Sequence, residues 1–198
     1  MRPPAFDPTL PLPLDDALPI TTYRLLLRAY TESDLDGLVE MYGSADTVRY
    51  LYDTVLARDQ LDDKLAQKIA ATSFLRDGDN LTPVIVERAT GEMAGDAMLA
   101  LTSVAHRQGE IGFVLRPGFG GRGYATEASM ALLRLGFGTY GLHRICGRAD
   151  ARNTASIAVM ERLGMRREAY LVQNEWVKGE WTDEVVYAML ADELIPTA

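Results

Sequence analysis

A chain of 198 residues and 21.8 kDa is long enough for one well-packed domain and short for two. Its composition, 47% apolar and 24% charged with no apolar run long enough to span a bilayer, is that of a globular protein; its net charge of −8 argues against a nucleic-acid partner and suits a cationic one, such as a free amine or a basic polypeptide. A single cysteine excludes an internal disulfide, and two histidines, His106 and His143, too far apart to share one helix as a ligand pair, argue against a metal site.

Most of the nine prolines fall within residues 1–20, with no basic stretch followed by an apolar one. This reads as an extended proline-rich arm rather than a cleaved signal peptide, and it predicts a cytoplasmic, non-membrane protein whose folded domain covers 21–198. The arm either frays or reaches a neighbouring subunit, which leaves a homodimer open.

Tyr23–Ala29 is a short apolar run and predicts the opening strand. Thr31-Glu32-Ser33-Asp34 supplies an N-cap and an acidic first turn for a helix with Leu35, Leu38, Val39 and Tyr42 on its apolar face. Helical spacing of Leu61, Leu65, Ile69 and Ala70 predicts a helix over Asp59–Leu75. The period then changes: Pro83–Ala89 and Met93–Ser103, joined by a Thr-Gly-Glu turn, read as an antiparallel hairpin, and Glu110–Leu115 as a further strand. A helix over Tyr124–Gly138 has Ala125, Ala128, Leu132 and Leu135 on one face. His143–Ala149 is a strand holding Cys146, read as a buried inert thiol. Thr154–Leu163 is a helix stopped by Gly164, and Arg166–Val177 with Trp181–Leu190 form a closing hairpin. This order predicts a mixed α/β fold.

The most informative stretch runs from Glu110 through Arg116-Pro117 into Gly118, Gly120, Gly121 and Gly123, and a helix opens at once. Glycines let backbone amides approach a ligand closely, and the orphan N–H groups at a helix start favour an anion, typically a pyrophosphate. A nucleotide-triphosphatase loop would need a lysine, and none is present. Gly118-x-Gly120-x-x-Gly123 meets the dinucleotide-binding spacing literally, but it follows an antiparallel hairpin rather than opening a parallel strand–turn–helix unit. A glycine-rich structural turn without a ligand is the plain alternative.

Gly120-Gly121-Arg122-Gly123-Tyr124-Ala125 closely resembles the acyl-CoA pyrophosphate loop of the GNAT (Gcn-related N-acetyltransferase) superfamily, and Thr126-Glu127-Ala128 is similar to its RimJ/RimL branch. Downstream, Arg152-Asn153-Thr154-Ala155-Ser156 and the stretch from Val159 to Met165 resemble the second family signature. Gly120 stands where the general pattern has Gln or Arg, and Met160 where many members have a tyrosine.

The resemblance covers about residues 22–190. It implies the GNAT fold: a central, mostly antiparallel twisted sheet of about seven strands flanked by helices and splayed between the fourth and fifth. It also implies an acetyl-CoA-dependent N-acetyltransferase. Phe113, Val114 and Leu115 would offer main-chain groups to pantetheine, residues 120–126 (Gly120, Gly121, Arg122, Gly123, Tyr124, Ala125, Thr126) would hold the diphosphate, and Asn153 would bond the pantetheine arm. Glu110 would act as base, and Ser156 as proton donor to the leaving thiolate, in place of the missing tyrosine. For the acceptor the branch favours a protein N-terminal α-amine. A small-molecule amine (polyamine, amino sugar or antibiotic) is the enzymatic alternative, and an acetyl-CoA-binding module without turnover the non-enzymatic one. Tyr50, Tyr52, Tyr170, Trp176 and Trp181 are further candidates for the acceptor groove, equally readable as packing residues.

Overall fold

The computed structural model describes residues 17–52, 54–71 and 73–194. Residues 1–16 of the proline-rich arm lie outside them; Ala17 is buried, and Ile20–Thr21 forms a two-residue strand, β1. The remaining strands are β2 (Leu25–Arg28), β3 (Asn80–Leu81), β4 (Val84–Glu87), β5 (Met93–Ser103), β6 (Gln108–Leu115), β7 (Arg144–Asp150), β8 (Arg166–Val177) and β9 (Glu180–Leu190). The helices are α1 (Leu35–Tyr42), α2 (Ala45–Val48), α3 (Arg58–Ala70), α4 (Tyr124–Arg134) and α5 (Thr154–Arg162).

The sheet runs β1-β2-β4-β5-β6-β7-β9-β8, with β3 paired to β5. Every pairing is antiparallel except β6 with β7. Two strands beyond the seven expected, β1 and β3, are two-residue pairings too short to leave a periodic trace.

Alternation along the strands splits the core between two faces. Leu25, Leu27, Ile85 and Leu99 pack under α4 and α5, whereas Val84, Val86 and Met93 pack under α1 and α3. Both faces are thus covered, and each fully buried Leu or Ile side chain stabilises the fold by roughly 2 kcal/mol.

Thr31 caps a short 3-10 turn, Glu32–Asp34, that leads into α1. The Asp34 carboxylate accepts from Thr31 N at 2.8 Å and pairs with Arg28 at 2.7 Å, so the strand–helix junction is fixed at both ends. The helix expected over Asp59–Leu75 stops at Ala70, and Ile69, placed on its apolar face by spacing, is 38% exposed. The cause lies downstream: Asp79 accepts from Leu75 N (2.7 Å) and Arg76 N (3.0 Å), closing a competing turn, and this lets Phe74 bury itself against Tyr140 at 4.5 Å between ring centroids. The strand expected from Pro83 begins at Val84, because Pro83 has no N–H to donate to a ladder. Likewise β2 begins at Leu25, leaving Tyr23 exposed. The helix expected to Gly138 keeps α geometry to Arg134 and continues as a π turn over Leu135–Thr139, where Gly136 lies so close to Ile145 that a Cβ would sit 2.7 Å from its Cδ1. No helix among the described residues is long and apolar enough to cross a membrane.

Candidate functional site

The site begins where β6 and β7 part. Their parallel pairing spans only Gln108↔Arg144, Gly109↔Ile145 and Glu110↔Cys146, while β6 stays paired with β5 as far as Leu115↔Gly95. Beyond Glu110, then, β6 presents a main-chain edge that β7 does not cover. This is the splay expected between the fourth and fifth predicted strands.

A groove of about 970 Å³ opens along that edge. It is lined by Phe113, Val114 and Leu115, by residues 120–126, and by Asn153 and Ser156. All the residues expected to hold the acyl donor, and one of the two expected to act on it, therefore meet in one cleft, of a size that suits a large elongated ligand.

The far end of the groove is built by α4. Gly123 caps this helix in the left-handed region (φ 80°), and Gly121 shares that geometry (φ 75°), which side chains rarely adopt. The first intrahelical bond is donated by Glu127 N to Gly123 O at 3.0 Å, so the amides of residues 124–126 have no intrahelical acceptor. A Cβ at Gly120 or Gly121 would meet nothing within 4 Å. Bare amides, a helix dipole and open space make an anion cradle.

Three arginines surround the cradle, of which spacing singled out only Arg122. Arg122 lies 3.8 Å from Glu87 and 5.0 Å over the Phe119 ring. Arg24 donates to Arg122 O (2.7 Å) and pairs with Glu127 (2.7 Å). Glu127 also accepts from Thr22 Oγ1 (2.6 Å) and Arg24 N (2.8 Å), pinning the first turn of α4 to the start of β2. Its carboxyl is held below the usual range by these hydrogen bonds, against the opposing effect of burial. Arg162 reaches Thr126 Oγ1 at 3.3 Å and pairs with no carboxylate among the described residues. Arg24 and Arg162 were missed because they come from elements remote in sequence from the loop.

Asn153 caps α5 by accepting from Ser156 N at 3.1 Å. The half-buried Ser156 hydroxyl makes no hydrogen bond among the described residues. Met160 is buried, with its sulfur so close to Gly147 that a Cβ there would lie 2.8 Å away; the tyrosine expected from the family pattern is thus replaced by a core side chain.

Glu110 lies in a second, smaller cavity that shares Tyr50 and Leu51 with the groove. Carboxylates outnumber cations in its lining, which includes Tyr52, Glu175, Glu184 and Arg148. Burial raises the Glu110 pKa, Glu184 adds to the rise, and Arg148, 3.7 Å away, opposes it. Burial also raises Glu184, which Arg148 again offsets. Cys146 Sγ is 3.9 Å from Glu110; burial first and Glu110 second raise its pKa, so the thiol stays protonated and unreactive. Two ties bridge the rim of the cavity: Tyr52 donates to Glu175, and Lys178 Nζ to Val48 O. Of the other aromatic candidates, Tyr50 and Tyr52 line the cavity. Trp176 and Trp181 stack edge-on at 5.3 Å, both largely exposed and outside its lining, and Tyr170 bonds Asp183 at 2.5 Å.

A family model described as an acetyltransferase (GNAT) domain matches residues 24–166. The chain is 32% identical over 178 residues, 88% of its length, to the uncharacterized N-acetyltransferase YnaD of Bacillus subtilis, 98% of which is covered. It is 24% identical to the spermidine N(1)-acetyltransferase of Escherichia coli over 83% of this chain and 85% of that one. Among solved structures, an acetyltransferase (GNAT family) from Bacillus anthracis superposes with a TM-score of 0.78 at 28% identity, covering 88% of this chain and 99% of the other.

Proposed function

Because the chain belongs to the GNAT family of acetyl-CoA-dependent N-acetyltransferases, we propose that it transfers the acetyl group to a primary amine on a small cationic molecule. One observation carries this reading: the cavity beside Glu110 is small, bridged at its rim by Tyr52–Glu175 and Lys178–Val48, and richer in carboxylates than in cations. Such a cavity attracts an ammonium and leaves little room for a peptide chain. The spermidine acetyltransferase among the relatives accords with it.

The alternative, a protein α-amine, rested on Thr126-Glu127-Ala128. Glu127 spends both its oxygens on Thr22 and Arg24, so it serves the architecture of the cradle, and its presence says nothing about the acceptor. Thiol release should be measured with a panel of small amines and N-terminal peptides. Turnover of small amines is the expected result, and turnover of peptides alone would remove this reading.

Acetyl-CoA supplies an activated acyl group as a thioester. The cradle fits its diphosphate: unpaired amides at residues 124–126, Arg122 and Arg162 at the rim, and no Cβ at Gly120 or Gly121 to fill the space. The uncovered edge of β6 at Phe113–Leu115 offers main-chain groups to the pantetheine. Glu110, its pKa raised, takes a proton from the incoming ammonium or amine. The Ser156 hydroxyl hydrogen-bonds the departing sulfur and is reprotonated from solvent as it passes its proton on, while Glu110 releases its own proton to solvent.

A thiol has a pKa of about 8.5, so its departure needs only modest help near neutrality. Ser156→Ala should therefore lower kcat by about tenfold at pH 7, less than the effect of about a hundredfold or more usual in general-acid catalysis, because the leaving group needs little help. The deficit should shrink as pH rises past 8.5, where a thiolate leaves unaided. A stopped thiol-release assay across pH checks this, and wild-type turnover at pH 7 would take Ser156 out of the reaction.

Gly120 provides a gain-of-affinity test. Its φ is ordinary, and a Cβ there meets nothing within 4 Å, so the Gln or Arg of the general pattern can be restored without strain. Gly120→Arg should tighten CoA about fivefold, the equivalent of roughly 1 kcal/mol from one added phosphate contact. Calorimetric titration with CoA measures it, and unchanged affinity would place the diphosphate away from position 120.

A further inference from the structure

Most arginine–carboxylate pairs in this protein are short. Arg28–Asp34 and Arg152–Asp150 lie at 2.7 Å and Arg144–Glu168 at 2.6 Å, the distances of charge-assisted hydrogen bonds. Arg148, like Arg58 and Arg122, makes only longer pairs, and of these three it is the one that lines the cavity of Glu110. It stands on β7 between Glu110 of β6 and Glu184 of β9, with Nε 3.7 Å from Glu110 Oε2 and Nη1 3.4 Å from Glu184 Oε1, and bonds neither closely.

Its two partners are among the more buried carboxylates of the cavity, Glu184 only 3% exposed, while its own side chain is 47% exposed. Glu184 has a second partner, Asn174 Nδ2 at 2.9 Å, and Glu175 on β8 is held by the Tyr52 hydroxyl. Arg148 is thus the cation beside Glu110, half exposed and held to Glu184 by one long hydrogen bond of 3.4 Å.

We propose that Arg148 is a specificity-determining residue: a tethered guanidinium that fills the place between Glu110 and Glu184 where a further ammonium of the acceptor would otherwise bind, and so limits how many positive charges the acceptor carries. The inference rests on the small-amine reading above. An acceptor with one ammonium meets the cavity's excess of carboxylates, Glu110 among them, with the charge of Arg148 to one side. A second ammonium close to the first meets Arg148, and like charges a few ångströms apart inside a partly desolvated cavity repel strongly. Discrimination then comes from repulsion as well as attraction.

The test compares kcat/KM for an alkyl monoamine, a diamine and a triamine in the wild type, Arg148→Met and Arg148→Lys. Arg148→Met is expected to raise the triamine-to-monoamine ratio by about tenfold at low ionic strength, and by less in high salt. Arg148→Lys keeps the charge and should keep the wild-type ratio. A merely structural role would lower all three substrates alike, with no dependence on salt. A flat ratio in Arg148→Met, or a raised one in Arg148→Lys, overturns the inference.

The two readings fail separately. If the wild type acetylates only peptides, the small-amine reading falls, and the ratio is taken instead between peptides with a lysine and with an alanine at the second residue. A rise in Arg148→Met again supports the charge limit, and a flat ratio overturns it.

Discussion

Glu110→Gln is expected to lower kcat by about a hundredfold or more while leaving CoA affinity unchanged. The side chain lies where the β6–β7 pairing ends, in the small cavity rather than in the large groove, so its loss should remove proton transfer without disturbing the cradle. Burial holds its pKa above the ordinary glutamate value of about 4.3, and Glu184 adds to the rise. The wild-type rate should therefore rise with pH as Glu110 ionises, along a limb displaced upward from that value, and the variant should lack the limb.

Stability supplies the control. A carboxyl whose pKa is raised on folding binds its proton more tightly in the native state. Its contribution is fully present below the unfolded pKa and is lost as pH rises through the folded one. At pH values above that folded pKa the ionised Glu110 is a cost to the fold, so there the glutamine variant should unfold at the same temperature or slightly higher. Lost activity with unchanged or higher thermal stability marks a group kept for chemistry. Wild-type kcat at every pH would transfer the role to water.

How much of this site was legible in the chain divides by distance along it. The cradle could be read because its parts are contiguous: Gly121, Gly123 and the helix start lie within a few residues, and each residue type has a backbone reason to be there. Asn153 and Ser156 could be read for the same reason, as a cap and its third residue. Arg24, Arg162, Arg148 and Glu184 could not. Arg148 and Glu184 meet through the β7–β9 pairing, as in Asp150↔Glu184, and Arg24 and Arg162 arrive from the start of β2 and the end of α5, so nothing in local spacing announces which carboxylate will face which arginine.

The fold shows the same division. The long strands β5, β8 and β9 were found nearly to the residue, because turn residues bound them: Thr90-Gly91-Glu92 before β5 and Lys178-Gly179 between β8 and β9. Errors gathered where a non-periodic contact wins. The Asp79 side chain captures two amides and ends α3 early, Pro83 withholds a donor, and β3 exists only because β5 offers it an edge. The loss of the family tyrosine at position 160 was visible, but its consequence was not: Met160 fills the space above Gly147, so the position has passed from chemistry to packing.

Asp96→Ala is expected to destabilise the protein by about 3–5 kcal/mol, the cost of breaking a buried pair by removing one partner. Asp96 is 3% exposed in the middle of β5; it accepts from Tyr30 Oη at 2.7 Å and pairs with Lys68 Nζ at 2.7 Å. It thus joins the chain after β2, the α3 helix and the central sheet at one carboxylate, and Lys68 lies in addition 5.0 Å over the Tyr30 ring. Alanine strands a buried hydroxyl and a largely buried ammonium together. Urea unfolding should show a lower midpoint at constant slope. Asp96→Asn, which keeps an acceptor for Tyr30 but loses the charge, should cost about half as much. Removing both ions, in Asp96→Ala with Lys68→Met, should cost less than Asp96→Ala alone, since an unpaired buried charge is worse than none. The effect should also reach the groove. Asp96 is paired in register with Val114 and Gly95 with Leu115, and the contact is so close that a Cβ at Gly95 would lie 2.1 Å from Val114 O. The uncovered edge of β6 is therefore shaped by the strand that Asp96 anchors, and loosening it should raise KM for acetyl-CoA more than for the amine. A variant that is less stable yet has both KM values unchanged would show that β6 holds its edge without help from β5.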